Sequence, residues 1–154
     1  MINIELFNHY KDSKIDSDFY KHLLKPLKKH VPELHNSNNI ELSVMISDNA
    51  YIKKMNHQFR NINKDTNILS FSTDIVEESL TAKYIGDIII SEEKILMEAL
   101  SQNKSFVNHL SHIFIHGFLH LLGYDHINSD DAIKMESLET KVLAEVDIKN
   151  PYED

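Results

Sequence analysis

Apolar and polar residues alternate over "MINIELFN", residues 1–8, with Ile2, Ile4 and Leu6 on one side. A period of two marks a strand with one buried face. Over 14–34, "KIDSDFYKHLLKPLKKHVPEL", the period changes. Phe19, Leu23, Leu24 and Leu27 recur at helical spacing behind Asp16 or Ser17 as cap, and Pro26 is expected to bend or interrupt the helix. "NIELSVMIS" (39–47) alternates again and predicts a second strand. Residues 48–61 place Ile52, Met55 and Phe59 one helical turn apart after Asp48. Two strands are expected next, over 66–72 and 84–91. The second carries a continuous isoleucine run that suits burial on both faces. Ser91 then caps a helix whose first turn holds Glu92 and Glu93, where the dipole favours acidic groups.

The strongest helical signal is "SFVNHLSHIFIHGFLHLL", 105–122. Phe106, Leu110, Ile113, Phe114, Phe118, Leu121 and Leu122 cover most of its circumference, so this helix belongs in the middle of the fold. Gly123 sits where a helix ends. A last helix over 128–146, capped by Asn128 or Ser129, turns Ile133, Leu138, Val142 and Leu143 inward. Strand, helix, strand, helix, two strands and then helices is the order of one α+β domain spanning 1–154.

Composition narrows the chemistry. The 154 residues include no cysteine, so any bound metal is held by His, Asp or Glu. No apolar run reaches the length of a membrane span, and the first ten residues lack a basic region followed by an apolar one. A cytoplasmic protein is expected. The net charge of -8 argues against nucleic-acid binding through a broad basic surface, though not against a small basic pocket. Among 16 basic residues only Arg60 is arginine, which makes it a candidate for forked phosphate binding. Lys53, Lys54 and Lys64 lie near it in sequence and could add local positive charge, or form a solvated helix face.

Five of the ten histidines fall between 109 and 126. A lone histidine on an apolar helix reads first as a satisfied core residue. Here His112, His116 and His120 share a helix face, Gly123 ends the helix, and His126 can return to the same point. Paired imidazoles one turn apart with a third beyond a break make a metal site, and three neutral nitrogens with an open position suit a catalytic ion. His116, His120 and His126 are the expected ligands. His112 is expected to support the ligands or face substrate, and His109 to lie on the surface. Asp87 is expected to end its strand rather than orient a ligand. Asp125 could orient His126 or cap the turn, and Tyr124 could pack beneath the site. The residue after His116 is Gly117, where a zinc peptidase carries its glutamate base. Glycine there admits close approach by another backbone or by substrate.

At these residues the chain resembles the YbeY family of bacterial endoribonucleases, the rRNA maturation factors. "HIFIHGFLHLLGYDH" (112–126) is similar to the family's H-x-x-x-H-x-x-x-x-x-H signature. "MNHQFRNINKDTNILSFS" (55–72) is similar to its N-x-x-aromatic-R followed by T-D-V-L-S-F-P, and "IGDIIIS" (85–91) to its G-D-I strand. The resemblance runs from about Asn39 onward. Asn67 and Ser72 depart from it, standing where the family usually has Asp and Pro, and the strand between them is expected to persist. The resemblance implies helices around a mixed four-stranded sheet, with one zinc ion on His116, His120 and His126. It implies a single-strand-specific endoribonuclease of small-subunit rRNA 3′-end maturation and ribosome quality control, with Arg60 lining the active pocket; Arg60 and His116 are the expected catalytic residues. Ribosomal RNA and the ribosome or small-subunit assembly components are the implied partners. Two other readings remain: a peptidase-like zinc hydrolase, which lacks its base here, and a non-catalytic assembly factor with structural zinc.

Overall fold

The computed structural model describes residues 2–13, 15–35, 39–73 and 83–153. In chain order the elements are β1 (Ile2–Asn8), α1 (Ser17–His30), a 3-10 turn (Pro32–Leu34), β2 (Ile40–Ser47), α2 (Asn49–Arg60), β3 (Ile68–Ser72), β4 (Lys83–Ser91), α3 (Glu92–Ser101), α4 (Phe106–Leu121) and α5 (Ser129–Ala144). The strands form one mixed sheet in the order β1-β2-β4-β3. β1, β2 and β4 are parallel neighbours, and β3 runs antiparallel along β4. The protein is therefore an α+β domain with a four-stranded mixed sheet, as the periodicities and the resemblance together implied.

The helix starts follow from short polar side chains that satisfy otherwise unpaired backbone N–H groups. Asp16 accepts from Asp18 and Phe19, and Asp48 from Tyr51. Ser91 accepts from Lys94, Ser105 from Asn108, and Asn128 from Asp131. Pro26 does not interrupt α1, which runs unbroken from Ser17 to His30. Tyr20, Leu23, Leu24, Pro26 and Leu27 are all buried. Each fully buried large apolar side chain contributes about 1.5–3 kcal/mol, so this stripe outweighs the about 3 kcal/mol that an internal proline costs.

The sheet has two different faces. Ile88 and Ile90 of β4 point into the large core with Leu42, Val44 and Ile46 of β2 and the apolar residues of α1, α4 and α5. Ile89 points the other way, into a small cluster with Ile52 of α2 and Leu69 of β3. This split is what a continuous isoleucine run on an inner strand requires. At the centre of the large core, α4 buries Leu110, Phe114, Ile115, Phe118 and Leu119 completely. Tyr20 of α1 meets Phe114 edge-on, with ring centres 5.1 Å apart. On α5 the inward stripe is Met135, Leu138, Val142 and Leu143, whereas Ile133 is 66% exposed. Ile133 lies in the second turn of α5, off the helical stripe set by those four residues, so it was misassigned inward.

Gly117 is where α4 meets β3. A methyl group there would collide with Ile68 Cδ1 and come within 3.0 Å of Ser70 Oγ. The close approach anticipated from the sequence is thus made by side chains of a neighbouring strand. The Ser70 hydroxyl donates to the Gly117 carbonyl at 3.0 Å, which locks the contact. Gly117→Val is expected to lower stability by about 1–3 kcal/mol through overpacking. Urea denaturation reads this directly, and an unchanged midpoint would refute the proposed contact.

Candidate metal centre

The apolar faces of α4 settle its rotation, and that rotation carries His112, His116 and His120 to the rim of an open cleft of about 620 Å³. Gly123, with φ of 96°, takes a left-handed conformation that a side chain would strain. It ends the helix and turns the chain back over it. His126 thereby arrives with its ring centre 5.4 Å from that of His116 and 5.3 Å from that of His120. One ligating atom from each of His116, His120 and His126 lies within 4.8 Å of the others, a group that could hold a metal ion.

The hydrogen bonds decide which nitrogens are available. His116 Nδ1 faces Glu139 Oε1 at 2.5 Å. Glu139 is fully buried; burial raises its pKa, but hydrogen bonds from His112, His116 and Tyr152 outweigh that and hold it near about 2. It is a carboxylate and can only accept, so His116 Nδ1 carries the proton. His120 Nδ1 lies 3.0 Å from the Tyr124 carbonyl, which also only accepts. In the neutral rings both Nε2 atoms then bear lone pairs, and they face each other at 3.0 Å. Burial, together with the neighbouring His116 and His126 rings, pushes the His120 pKa below its ordinary value and favours the neutral form. Two facing lone pairs repel unless a cation lies between them. Nitrogens bound at 2.0–2.1 Å in tetrahedral geometry sit about 3.3 Å apart, so the pair fits a divalent ion after a small adjustment.

Arg60 lines the same cleft from the end of α2, which Asn61 terminates with a left-handed φ of 58°. One guanidinium N–H donates to the Ser70 carbonyl at 3.0 Å, and the group lies 5.6 Å over the Phe71 ring. Ser70 thus holds Arg60 through its carbonyl and α4 through its hydroxyl. The only arginine in the chain shares a cleft with the three histidines. Lys53, Lys54 and Lys64 are exposed and lie outside the cleft lining.

Other expectations need correction. His109 is not on the surface: it is 5% exposed and pairs through Nε2 with Glu98 of α3 at 3.0 Å. α4 packs against α3, and His109 lies on the buried side of that contact, whereas Asn108 beside it is exposed. Asp87 does not end β4 but lies within it, accepting hydrogen bonds from Ser43 and Tyr84. Strand alternation turns it to the sheet face away from α4, so it cannot reach the imidazoles. The Tyr124 ring packs against the edge of the large core, its hydroxyl reaches Glu33 at 2.7 Å, and its backbone carbonyl orients His120. Asp125 accepts from the His126 backbone N–H at 2.7 Å and shapes the turn. Asn67 donates to Glu98 Oε1 at 3.1 Å, where an aspartate would repel that carboxylate, and β3 persists between Asn67 and Ser72.

Two residues escaped the sequence reading. Glu139 accepts from His116 and lies 3.1 Å from His112 Nε2. Its signal was a carboxylate at position 139 beside the inward stripe of Met135, Leu138 and Val142, a place where a charge must have partners. Tyr152 lies beyond the last helix, donates to Glu139 and lines the cleft. Burial and the Glu139 carboxylate raise its pKa, so the hydroxyl keeps its proton.

Fold and site together define an α+β protein with a candidate three-histidine, single-ion centre that shares its cleft with an arginine. A family model described as Endoribonuclease YbeY matches residues 5–147, and the chain belongs to that family. It is 47% identical over 125 residues to the endoribonuclease YbeY of Francisella philomiragia, covering 79% of each chain. It is 43% identical over 130 residues to that of Ruthia magnifica, covering 84% of this chain and 88% of the relative. The fold also matches a protein from Thermotoga maritima solved in solution, with a TM-score of 0.61 and 24% identity over the whole of both chains.

The Glu139 contact predicts a measurable dependence. Glu139→Gln is expected to weaken divalent-ion affinity by about 10–100-fold, since the carboxylate sets both the tautomer and the basicity of His116. Competition with a chromogenic chelator measures it, and unchanged affinity would rule out this role for Glu139.

Proposed function

We propose that the chain, as one domain over 1–154, is a zinc-dependent endoribonuclease specific for single-stranded RNA. It acts in small-subunit rRNA 3′-end maturation and ribosome quality control in the cytoplasm, with the ribosome or small-subunit assembly components as partners. The observation that carries the catalytic reading is that Arg60 and the three histidines line one cleft. Family membership supports RNA as substrate, and the resemblance supports the ribosomal role. Zinc suits three imidazoles with no thiolate available. Among the described residues, no helix is long and apolar enough to cross a membrane.

In this reading His116, His120 and His126 hold the ion, and His116 and Arg60 are the residues on which catalysis depends. When bound, the ion supplies Lewis acidity at neutral pH. Glu139 and the Tyr124 carbonyl hold protons on the two Nδ1 atoms, so both Nε2 atoms remain free to ligate. Arg60 uses one N–H on Ser70 and offers its remaining donors to the scissile phosphate, where they offset charge growing on the phosphoryl oxygens. Water and the ribose 2′-hydroxyl are both candidate nucleophiles, and a 2′,3′-cyclic phosphate product would assign the second.

The peptidase reading fails on geometry as well as on sequence. Space beside Gly117 is filled by β3. Glu139, the carboxylate that touches His116, is fully buried on the Nδ1 side and cannot reach a substrate. A purely structural ion is disfavoured because, among the described residues, three ligands converge and His126 is exposed at the cleft.

Zinc-loaded protein is expected to cut a single-stranded RNA. Arg60→Ala should retain zinc and lose about 10²–10³-fold in rate, the usual loss for a group that stabilises transition-state charge. His120→Ala should lose both zinc and cleavage. Full activity in Arg60→Ala, or retained zinc in His120→Ala, would overturn the assignment.

A further inference from the structure

Tyr152 raises a question that ligand orientation does not answer. Its hydroxyl is tied to the buried Glu139 carboxylate and lies 3.2 Å from His112 Nε2. Its ring stands edge-on to His112, with centres 5.5 Å apart and planes at 86°. The backbone N–H donates to Asn150 Oδ1 at 2.9 Å. The side chain is therefore held by two residues, Glu139 and His112, and the backbone beside it by Asn150. Yet the residue is 45% exposed and lines the same cleft as Arg60 and the three histidines. A rigid aromatic ring held half in water at the wall of a polar cleft has already lost its rotamer freedom before any ligand arrives.

Electrostatics supply the second strand of the argument. Among the described residues that line the cleft, Arg60 is the only Lys or Arg, and the chain carries a net charge of -8. One phosphate contact yields little affinity for RNA, which elsewhere comes from neutralising many phosphates. Stacking of bases on aromatic side chains needs no positive charge, and it is the usual means of gripping single strands.

We propose that Tyr152 is a substrate-positioning residue, whose exposed ring stacks on a nucleobase next to the phosphate held by Arg60. The inference rests on the nuclease reading and extends it to the choice of substrate. A base within a duplex is stacked on its neighbours and hydrogen-bonded to its partner, so its face is not free for the ring. An unpaired base pays no such cost. Preference for single strands then arises at Tyr152 rather than from a broad basic surface. Because the hydroxyl contacts Glu139, and Glu139 holds His116, the ring has a fixed location relative to the ion-binding nitrogens.

The test is a cycle that pairs protein variants with single abasic substitutions placed along a short single-stranded RNA. With zinc-loaded wild type, removing the base that meets Tyr152 is expected to lower kcat/KM by about tenfold, chiefly through KM. Tyr152→Leu is expected to lose about as much on the intact RNA, and no more when the same base is also removed. Tyr152→Phe, which keeps the ring and lacks the hydroxyl, should still respond to removal of the base. Losses that multiply in the Leu variant would overturn the proposal, as would a Phe variant blind to the missing base. The same cycle read as binding of fluorescent RNA in EDTA needs no cleavage. RNA that binds with coupled losses but is not cut would defeat the nuclease reading and leave the stacking contact intact. Additive losses in binding would defeat the stacking contact whether or not the RNA is cut.

Discussion

Two acceptors that can never donate, the Glu139 carboxylate and the Tyr124 carbonyl, each take the Nδ1 proton of an imidazole on α4. The consequence is a pair of Nε2 lone pairs pointing at each other across 3.0 Å. That arrangement is repulsive in isolation and favourable around a cation. The burial of Glu139 matters here, because a carboxylate removed from water must be satisfied by donors, and two of its three donors are histidines of the cleft wall. The carboxylate orients the ligand, and the ligand in turn satisfies the carboxylate. The arrangement of α4 against α5 is fixed by the same contact.

The second constraint links the ion-binding wall to the arginine. Gly117 lets β3 press against α4, and Ser70 bonds to Gly117 with its hydroxyl and to Arg60 with its carbonyl. A single residue on an edge strand therefore sets the distance between the candidate phosphate clamp and the histidine group. The glycine that removes the peptidase base also creates this contact. Sheet, helix and arginine are thus joined through Ser70.

Much of this was legible in the sequence because it rests on local periodicity. The alternation of Ile2, Ile4 and Leu6, the isoleucine run of β4 and the near-continuous apolar surface of α4 each identify an element and its burial. The i, i+4 histidines and Gly123 locate the candidate site for the same reason. What was not legible depends on contacts between distant segments. Glu139 lies 23 residues from His116, and Tyr152 lies 40 residues from His112. Neither pairing has a sequence period. His109 is expected outside because polar residues usually are, but the half-buried Glu98 on the adjoining helix supplies a partner. The local rule expects Pro26 to bend or interrupt α1, but core packing prevails and the helix runs on through it.

With Nδ1 protons held by Glu139 and the Tyr124 carbonyl, the two helix histidines are expected to present Nε2, and not Nδ1, to the ion. Long-range nitrogen–proton NMR of the imidazole rings in the zinc-loaded protein tests it most directly. The account predicts that His116 and His120 each keep a proton on Nδ1, protected by Glu139 and the Tyr124 carbonyl, while zinc shifts the Nε2 resonances. Coordination through Nδ1 of either ring, or rings left unperturbed by zinc, would contradict it.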